Sequence, residues 1–134
     1  MNVLLDTATW INSVEQPKQL PANILAIVRD RKNSFYVSGM SLLEASTLER
    51  KKRIDFKMPF PEWLDLALAG ITVLPITAQI ASIENQLPKN FHGDPADRII
   101  VATAKAHGLI LLTPDPEIEF HEIARTRYYK WRAT

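Results

Sequence analysis

Short apolar strands alternate with amphipathic helices along this sequence, and that alternation limits the possible folds more than any other feature. Strands are predicted at NVLL (2–5), SFYVS (34–38), ITVLPI (71–76) and LILLT (109–113). The first and last of these are almost continuously apolar, which is typical of parallel strands that are buried on both faces. Parallel strands need crossover connections, most often helices. The pattern therefore predicts an α/β fold with a parallel β-sheet sandwiched between α-helices.

Apolar residues at helical spacing predict the helices between these strands. Those helices span residues 7–13, 21–32, 41–53, 61–69, 77–87 and 95–107, with a short helix near 116–122 and an edge strand near 127–131. Gly70 and Gly108 follow two of the helices, as glycine commonly does at a helix end. The 134 residues contain no repeat and no linker, so we expect one domain spanning residues 1–134.

The composition excludes several classes of protein. There is no cysteine, which excludes disulfides and thiolate zinc sites. No apolar run approaches the ~20 residues that cross a bilayer, and the N-terminus lacks the pattern of a signal peptide. We therefore expect a cytoplasmic protein without a membrane partner. The net charge of +1 does not by itself indicate a nucleic-acid partner.

Four acids lie where predicted strands end or the next helices begin. They are Asp6 after NVLL, Glu44 after YVSGMSLL, Asp97 in GDPADRII and Asp115 after LILLTP. In a parallel sheet these ends meet at one edge, where ligand sites form. Carboxylates without cysteine, and without histidines at ligand spacing, favour Mg²⁺ or Mn²⁺, which would also relieve their mutual repulsion. Such ions commonly promote phosphodiester hydrolysis.

Each acid also has a structural interpretation as a helix cap. The candidate caps are Asp6 before Thr7, a Ser41–Glu44 capping box, Asp94 with Asp97 around Pro95, and Asp115 before Pro116. A carboxylate at a helix N-terminus stays anionic and can still face a cation. Both interpretations therefore stay open from the residues alone.

The chain resembles the PIN-domain ribonucleases, and specifically the VapC-type toxins of prokaryotic type II toxin–antitoxin modules. The stretches that carry the resemblance are NVLLDTATW, VSGMSLLEASTLERKKRI, LPKNFHGDPADRIIVATAKAHGLILLTPD and the tail around YYKW. The third is the most specific, because an acid pair opens an alanine-rich helix that is followed by His-Gly, an apolar strand and Thr-x-Asp. The resemblance covers essentially the whole chain and implies a single PIN domain with an acidic pocket for Mg²⁺ or Mn²⁺.

The resemblance implies a role for each acid. Asp6 and Asp97 correspond to the principal metal ligands. Glu44 and Asp115 correspond to the acids that complete the catalytic set. The implied reaction is in-line attack of a metal-activated hydroxide on an RNA phosphodiester, which makes the protein an endoribonuclease.

Two further residues have supporting roles by the same resemblance. Thr113 corresponds to a hydroxyl residue that bonds a carboxylate or water, and Asp94 to a cap with an outer-sphere role. Many relatives carry a basic residue where this chain has Pro114, and Pro116 follows. The loop that carries Asp115 is therefore stiffer than in those relatives.

The implied partners are RNA, a cognate antitoxin that occludes the acidic pocket, and a second copy of the chain in a homodimer. The apolar faces of residues 21–28 and 63–68 exceed what a domain of this size is expected to bury, which indicates an interface. Trp10 and Trp63 are expected in the core or in dimer contacts. The alternatives are an RNA-processing nuclease of the same fold, a non-catalytic RNA-binding module, and a phosphotransfer domain or phosphatase with an aspartyl nucleophile. A phosphotransfer domain or phosphatase needs a second acid just after the first aspartate and a lysine on a late strand. This chain has no second acid just after Asp6 and no lysine in LILLTPD.

Two basic segments have open interpretations. They are residues 49–53 (ERKKR) and the tail RTRYYKWRAT. Basic residues interleaved with aromatic ones can bind a phosphate backbone and stacked bases. The alternative is that the first segment is a solvated helix end and that the tail packs on the domain. The histidines are expected outside the catalytic set, at a helix end for His107 and on the surface for His92 and His121.

Overall fold

The computed structural model of the protein describes residues 1–91, 93–116 and 126–130. Within these ranges the chain forms five strands, β1 (Asn2–Leu5), β2 (Ser34–Ser38), β3 (Ile71–Leu74), β4 (Ile110–Thr113) and β5 (Thr126–Tyr128). The α-helices are α1 (Thr7–Glu15), α2 (Ala22–Arg29), α3 (Gly39–Arg50), α4 (Phe60–Ala67), α5 (Ala78–Asn85) and α6 (Pro95–His107). The predicted helix near 116–122 lies largely outside the described residues.

All five strands are parallel and form one sheet in the order β3-β2-β1-β4-β5. The chain first builds outward from β1 through β2 to β3, and then returns to the other side of β1 with β4. Strand order therefore reverses between β1 and β4, where the carboxyl ends of parallel strands leave a crevice. Leu5 pairs with Leu112 at this point, so Asp6 and Thr113 come next to each other just beyond the pair.

Helices cover both faces of the sheet, because successive side chains of each strand point to opposite sides. Val3 and Leu5 of β1 pack in one core cluster with residues of α1, α2, α3 and α4. Leu4 packs in a second cluster with Leu111 of β4 and with Ile100 of α6. The predicted α/β fold with a parallel sheet between helices is therefore confirmed.

The predicted capping box at Ser41 and Glu44 is wrong. Helix α3 begins at Gly39, and its N-cap is Ser38, whose hydroxyl accepts a hydrogen bond from the Met40 amide. Ser41 and Glu44 therefore lie inside the helix, and the Ser41 hydroxyl is free to bond across to another element. Helix α2 ends at Arg29, three residues before the predicted end, and a 3₁₀ turn at Pro17–Gln19 was not predicted.

Trp10 and Trp63, two of the three tryptophans of the chain, lie in the core, which is one of the two alternatives predicted for them. Trp10 and Trp63 are fully buried, their rings are 5.2 Å apart, and Phe56 stacks on Trp63 at 3.9 Å. The rest of the domain covers the apolar side chains of α4 only in part, since Leu66 is 58% exposed. No helix in the described part of the chain is both long and apolar enough to span a membrane.

Candidate active site

Asp6 sits at the reversal point of the sheet and is held through both carboxylate oxygens. As the N-cap of α1, it accepts a hydrogen bond from the Thr9 amide at 2.8 Å through Oδ1. Its Oδ2 accepts one from the Thr113 hydroxyl of β4 at 2.7 Å. The two bonds fix the carboxylate in one orientation, with lone pairs left for a further ligand.

Thr9 and Tyr129 form a buried support behind Asp6. The Thr9 hydroxyl donates to the Leu112 carbonyl at 3.2 Å, and it lies 2.6 Å from the Tyr129 hydroxyl. Because Thr9 has one hydroxyl proton, the Tyr129 hydroxyl is the donor to Thr9. This link joins the segment after β5 to the first turn of α1, the turn that caps onto Asp6.

Glu44 lies in the second turn of α3 and faces α1. It accepts a short hydrogen bond from the Thr7 hydroxyl, and that hydroxyl lies 2.8 Å from the Ser41 hydroxyl. Since Thr7 donates to Glu44, Ser41 donates to Thr7. A relay of two hydroxyls, buried between α1 and α3, thus orients the Glu44 carboxylate.

Asp97 lies in the first turn of α6, as predicted. Asp94 is the N-cap of this helix and accepts a hydrogen bond from the Asp97 amide at 2.8 Å. Gly93 permits the loop before α6 to lie close to Phe91 and Asp97. A Cβ at this position would lie 2.7 Å from the Phe91 ring and 3.1 Å from the Asp97 Cβ. Arg98 anchors the same turn through bonds to the Glu84 carboxylate at 2.8 Å and to the Phe91 carbonyl at 3.1 Å.

Asp115 follows β4 and lies on the same edge of the sheet. Its amide donates to the Thr113 hydroxyl at 3.0 Å, so Thr113 bonds both to this loop and to Asp6. Whether Asp115 also caps a helix depends on residues outside the described ranges. Its charge nevertheless acts on Asp6 and Asp97, since it raises the pKa of both.

Three of the four predicted acids line one cleft of about 290 Å³ between α1, α3 and α6. The polar residues of this cleft are Asp6, Thr7, Asn12, Glu44 and Asp97. Asp94 lines a neighbouring, more apolar cavity of about 360 Å³ that shares Glu44 with the cleft. The structure therefore brings the predicted acids to one edge of the sheet.

Burial and mutual repulsion raise the pKa values of Asp6, Glu44 and Asp97. For Asp97, burial raises the pKa to about 7, with further increases from the charges of Asp94, Asp115, Glu44 and Asp6. Burial also raises the pKa of Glu44, although the Thr7 hydrogen bond lowers it. For Asp6, burial raises the pKa most, while the bonds from Thr9 and Thr113 lower it. Near its pKa of about 7, Asp97 would therefore exchange its proton for a cation that bound in the cleft.

The donor set fits a hard divalent ion. In the part of the chain that the structure describes, Arg98–Glu84 is the only ion pair, so Asp6, Glu44 and Asp97 have no described Lys or Arg to neutralise them. In the same residues, no three His, Asp or Glu side chains are gathered closely enough to hold an ion between them. Mg²⁺ commonly binds through one or two carboxylates and keeps several waters. A direct ligand set of Asp6 and Asp97, with the other acids acting through water, fits these observations.

The hydroxyl of Thr113 bonds a carboxylate as the resemblance implied, but the other hydroxyl residues that orient the carboxylates were not predicted. Thr7 was named only as the residue after the Asp6 cap, and Ser41 was assigned to a cap. The residue type of Thr9 carried no signal, because the backbone amide that bonds the Asp6 cap is supplied by any residue other than proline at that position. Tyr129 is 4% exposed, so within residues 126–130 it is packed on the domain rather than free to stack on bases.

Several predictions fall outside the described residues. They concern His92 and His121, and the tail residues Arg125, Trp131 and Arg132. His107 is the last residue of α6 and is exposed, in agreement with its predicted place at a helix end.

Comparisons with known proteins agree with this fold. The sequence profile of the PIN domain family matches residues 3–126. Ribonuclease VapC22 of Mycobacterium tuberculosis is 34% identical over 125 residues, which cover 92% of this chain and 94% of that protein.

Solved structures share the fold at lower identity. One is VapBC2 from Rickettsia felis bound to a promoter DNA fragment, with a TM-score of 0.73, 16% identity, and coverage of 98% of this chain and 100% of that chain. Another is VapBC-1 from nontypeable Haemophilus influenzae, with a TM-score of 0.73, 15% identity, and coverage of 96% and 98%. A toxin–antitoxin complex from Klebsiella pneumoniae has a TM-score of 0.69, 22% identity, and coverage of 96% and 98%.

Proposed function

This chain belongs to the PIN domain family, and we propose that it is a metal-dependent endoribonuclease that acts as the toxin of a type II toxin–antitoxin module. The observation that carries the proposal is the cleft at the carboxyl edge of the parallel sheet. Asp6, Glu44 and Asp97 line it without a described cation to neutralise them. The ribonuclease relative, similar over 92% of this chain, supports RNA as the substrate.

Each acid has its own part in the proposed reaction. Asp6 and Asp97 would hold a Mg²⁺ or Mn²⁺ ion directly, and Glu44 and Asp115 would orient water in the cleft. A bound ion would supply polarisation of a phosphoryl oxygen and activation of a water molecule. Thr113 and the Thr7–Ser41 relay fix the carboxylates before the substrate arrives, so that little reorganisation is needed during the reaction.

Asp94 has an indirect role in this proposal. Its carboxylate is committed to the Asp97 amide, and its charge raises the pKa of Asp97. It therefore supports Asp97 from outside the set of direct metal ligands. We further propose that residues 1–134 form one domain, and that the protein acts in the cytoplasm, where RNA is available.

Two protein partners belong to the same proposal. The structural neighbours from Rickettsia and Haemophilus are VapBC structures and the one from Klebsiella is a toxin–antitoxin complex, which supports a cognate antitoxin as a partner. A homodimer is supported by a groove of about 270 Å³ whose lining includes the exposed Leu66 together with Leu25 and Val28. Light scattering on the purified protein and on Leu66→Glu tests the dimer, since the charge should leave only monomer.

RNA cleavage by the purified, antitoxin-free protein tests the enzymatic proposal. We expect cutting with Mg²⁺ or Mn²⁺, none with EDTA, and none from Asp97→Asn, which keeps the shape of the side chain but removes its charge. The matched control is Asp65→Asn, an exposed acid on α4 away from the cleft. A protein that binds the ion, is free of inhibitor and still cuts no RNA would contradict the proposal.

A further inference from the structure

A short segment after α3 concentrates the positive charge of the chain. Residues 49–57 contain five of the 16 Lys and Arg residues and two of the 15 acids, which is a net charge of +3. The other residues therefore carry eleven basic side chains against thirteen acidic ones, a net charge of −2, although the whole chain is at +1. We call residues 49–57 the basic turn. Its charge contrasts with that of the acid cleft and of the rest of the chain.

The cations of the basic turn are available to an external anion. Arg50, Lys51, Lys52, Arg53 and Lys57 are all exposed. None of them forms an ion pair with any residue that the structure describes, because the one pair found there joins Arg98 to Glu84. In particular, none of them is ion-paired with Glu49 or Asp55, the two acids in the same segment.

The backbone of the basic turn is fixed rather than open. The Arg53 amide donates to the Leu48 carbonyl at 2.9 Å, and the Lys52 amide donates to the Glu49 carbonyl at 3.0 Å. Phe56 is 3% exposed and stacks on Trp63, which anchors the turn in the core. Lys52 and Lys57 have φ angles of 57° and 59°, a region where glycine would cost less. Strained positions that keep a functional side chain are common at binding sites.

The acid cleft runs directly into the basic turn. The cleft that contains Asp6 and Asp97 shares Ile11, Asn12 and Ile54 with a second cavity of about 400 Å³. Arg53 lines that second cavity together with two carboxylates, Glu15 and Asp55, and with Gln16 just after α1. The two form one groove along α1, which at nine residues is about 14 Å long.

We propose that this groove holds a single RNA strand, with one phosphodiester at the acid cleft and neighbouring phosphates at Arg53 and the adjoining cations of the basic turn. The inference rests on the proposed nuclease function, which puts a phosphodiester at the cleft. RNA fits better than a peptide, because the groove joins a site for a bridging cation to Arg53, and the basic turn that carries Arg53 has four further exposed cations and a net charge of +3 with Glu49 and Asp55 included. A polyanion is complementary to this excess of positive charge.

The test measures RNA binding without cleavage. A mixed-sequence single-stranded RNA labelled with fluorescein is titrated with Asp97→Asn protein in Mg²⁺ over a range of salt concentrations. Adding Arg53→Ala should weaken binding and reduce the slope of log K against log salt by about 0.7 for the lost phosphate contact. Lys105→Ala, which removes an exposed cation from α6, is the matched control and should leave the slope unchanged.

A second variant separates binding from folding. Lys52→Gly removes a cation where the backbone is left-handed, so it should weaken RNA binding while the melting temperature stays equal or rises. In the otherwise unchanged protein, both variants should raise KM for RNA and leave kcat unaltered. Unchanged RNA affinity and unchanged KM in an active enzyme would overturn the inference. The basic turn would then be a candidate surface for binding a protein partner instead. Failure of the proposed function itself is a different result, in which the unsubstituted protein cuts no RNA.

Discussion

Thr113 donates a hydrogen bond to the Asp6 Oδ2 atom at 2.7 Å, although the two residues are 107 positions apart in the chain. The bond exists because β1 and β4 are neighbours in the sheet, with Leu5 opposite Leu112. It holds the carboxylate that we propose as a metal ligand, and it favours the charged form of that carboxylate. The hydroxyl of Thr113 also accepts from the Asp115 amide, so one side chain ties together two of the proposed catalytic acids.

Replacing Thr113 by valine should weaken metal binding. The substitution keeps the shape of the side chain but removes the donor to Asp6, so the pKa of Asp6 should rise further. Loss of a supporting hydrogen bond of this kind typically costs 10- to 100-fold in metal affinity or activity. Calorimetric titration with Mn²⁺ measures the change.

Two controls accompany the Thr113 variant. Thr113→Ser keeps the hydroxyl and should bind Mn²⁺ nearly as well as the original protein. Thr103→Val makes the same change at a buried threonine of α6, whose hydroxyl bonds the Ile99 carbonyl. Equal Mn²⁺ affinity in Thr113→Val and Thr103→Val would show that the Asp6 bond does not matter for the ion.

The Thr7–Ser41 relay should control turnover rather than RNA binding. Thr7→Val removes the donor to Glu44, so the carboxylate loses its fixed orientation and kcat should fall about 10-fold or more, while KM stays similar. Thr7→Ser should restore activity. Ser41→Ala removes only the outer donor of the relay and should have a smaller effect. If KM rose and kcat stayed constant in Thr7→Val, the relay would belong to substrate binding instead.

Metal binding should depend on pH through Asp97, whose pKa in the folded protein is raised to about 7 from 3.8. Because the folded state holds this proton more tightly than the unfolded state does, protonation of Asp97 contributes to the free energy of unfolding. This contribution is fully present below pH 3.8 and is lost as the pH rises through 7. A metal ion needs the ionised carboxylate, so its affinity should fall about tenfold per pH unit below 7.

Thermal melts with and without Mg²⁺ measure this linkage. We expect Mg²⁺ to raise the melting temperature more at pH 8 than at pH 6. Asp97→Asn should abolish most of that difference, whereas Asp65→Asn should retain it. An effect of Mg²⁺ that is equal at both pH values would exclude Asp97 as the group that exchanges a proton for the ion.

Tyr129→Phe should lower stability by about 1 kcal/mol, the usual cost of one hydrogen bond. The change removes the hydroxyl that bonds Thr9 at 2.6 Å, while Thr9 keeps its bond to the Leu112 carbonyl. Urea denaturation measures the loss. The comparison is Tyr36→Phe, since the Tyr36 hydroxyl bonds no side chain or backbone group among the described residues and its removal should cost little. Equal losses in the two variants would contradict the support that we assign to Tyr129.

Local patterns were sufficient to predict the elements and the edge of the sheet on which the acids lie. The apolar runs at residues 2–5 and 34–38 coincide with β1 and β2, and residues 95–107 coincide with α6 from its Asp94 cap to its Gly108 end. Such features are predictable because capping, helical periodicity and strand burial each depend on a few neighbouring residues. The start of α3 was missed because Ser38 and Ser41 are equally good capping residues by type.

What the sequence determined by itself is therefore the α/β alternation and the set of acids at the carboxyl ends of the strands. What only the tertiary structure decided is how those acids are held and what surrounds them. The bonds from Thr113 to Asp6 and from Thr7 to Glu44, and the groove from the cleft to Arg53, join residues that are far apart in the chain. Their partners are set by strand order and helix packing, and no local pattern of residues encodes that order.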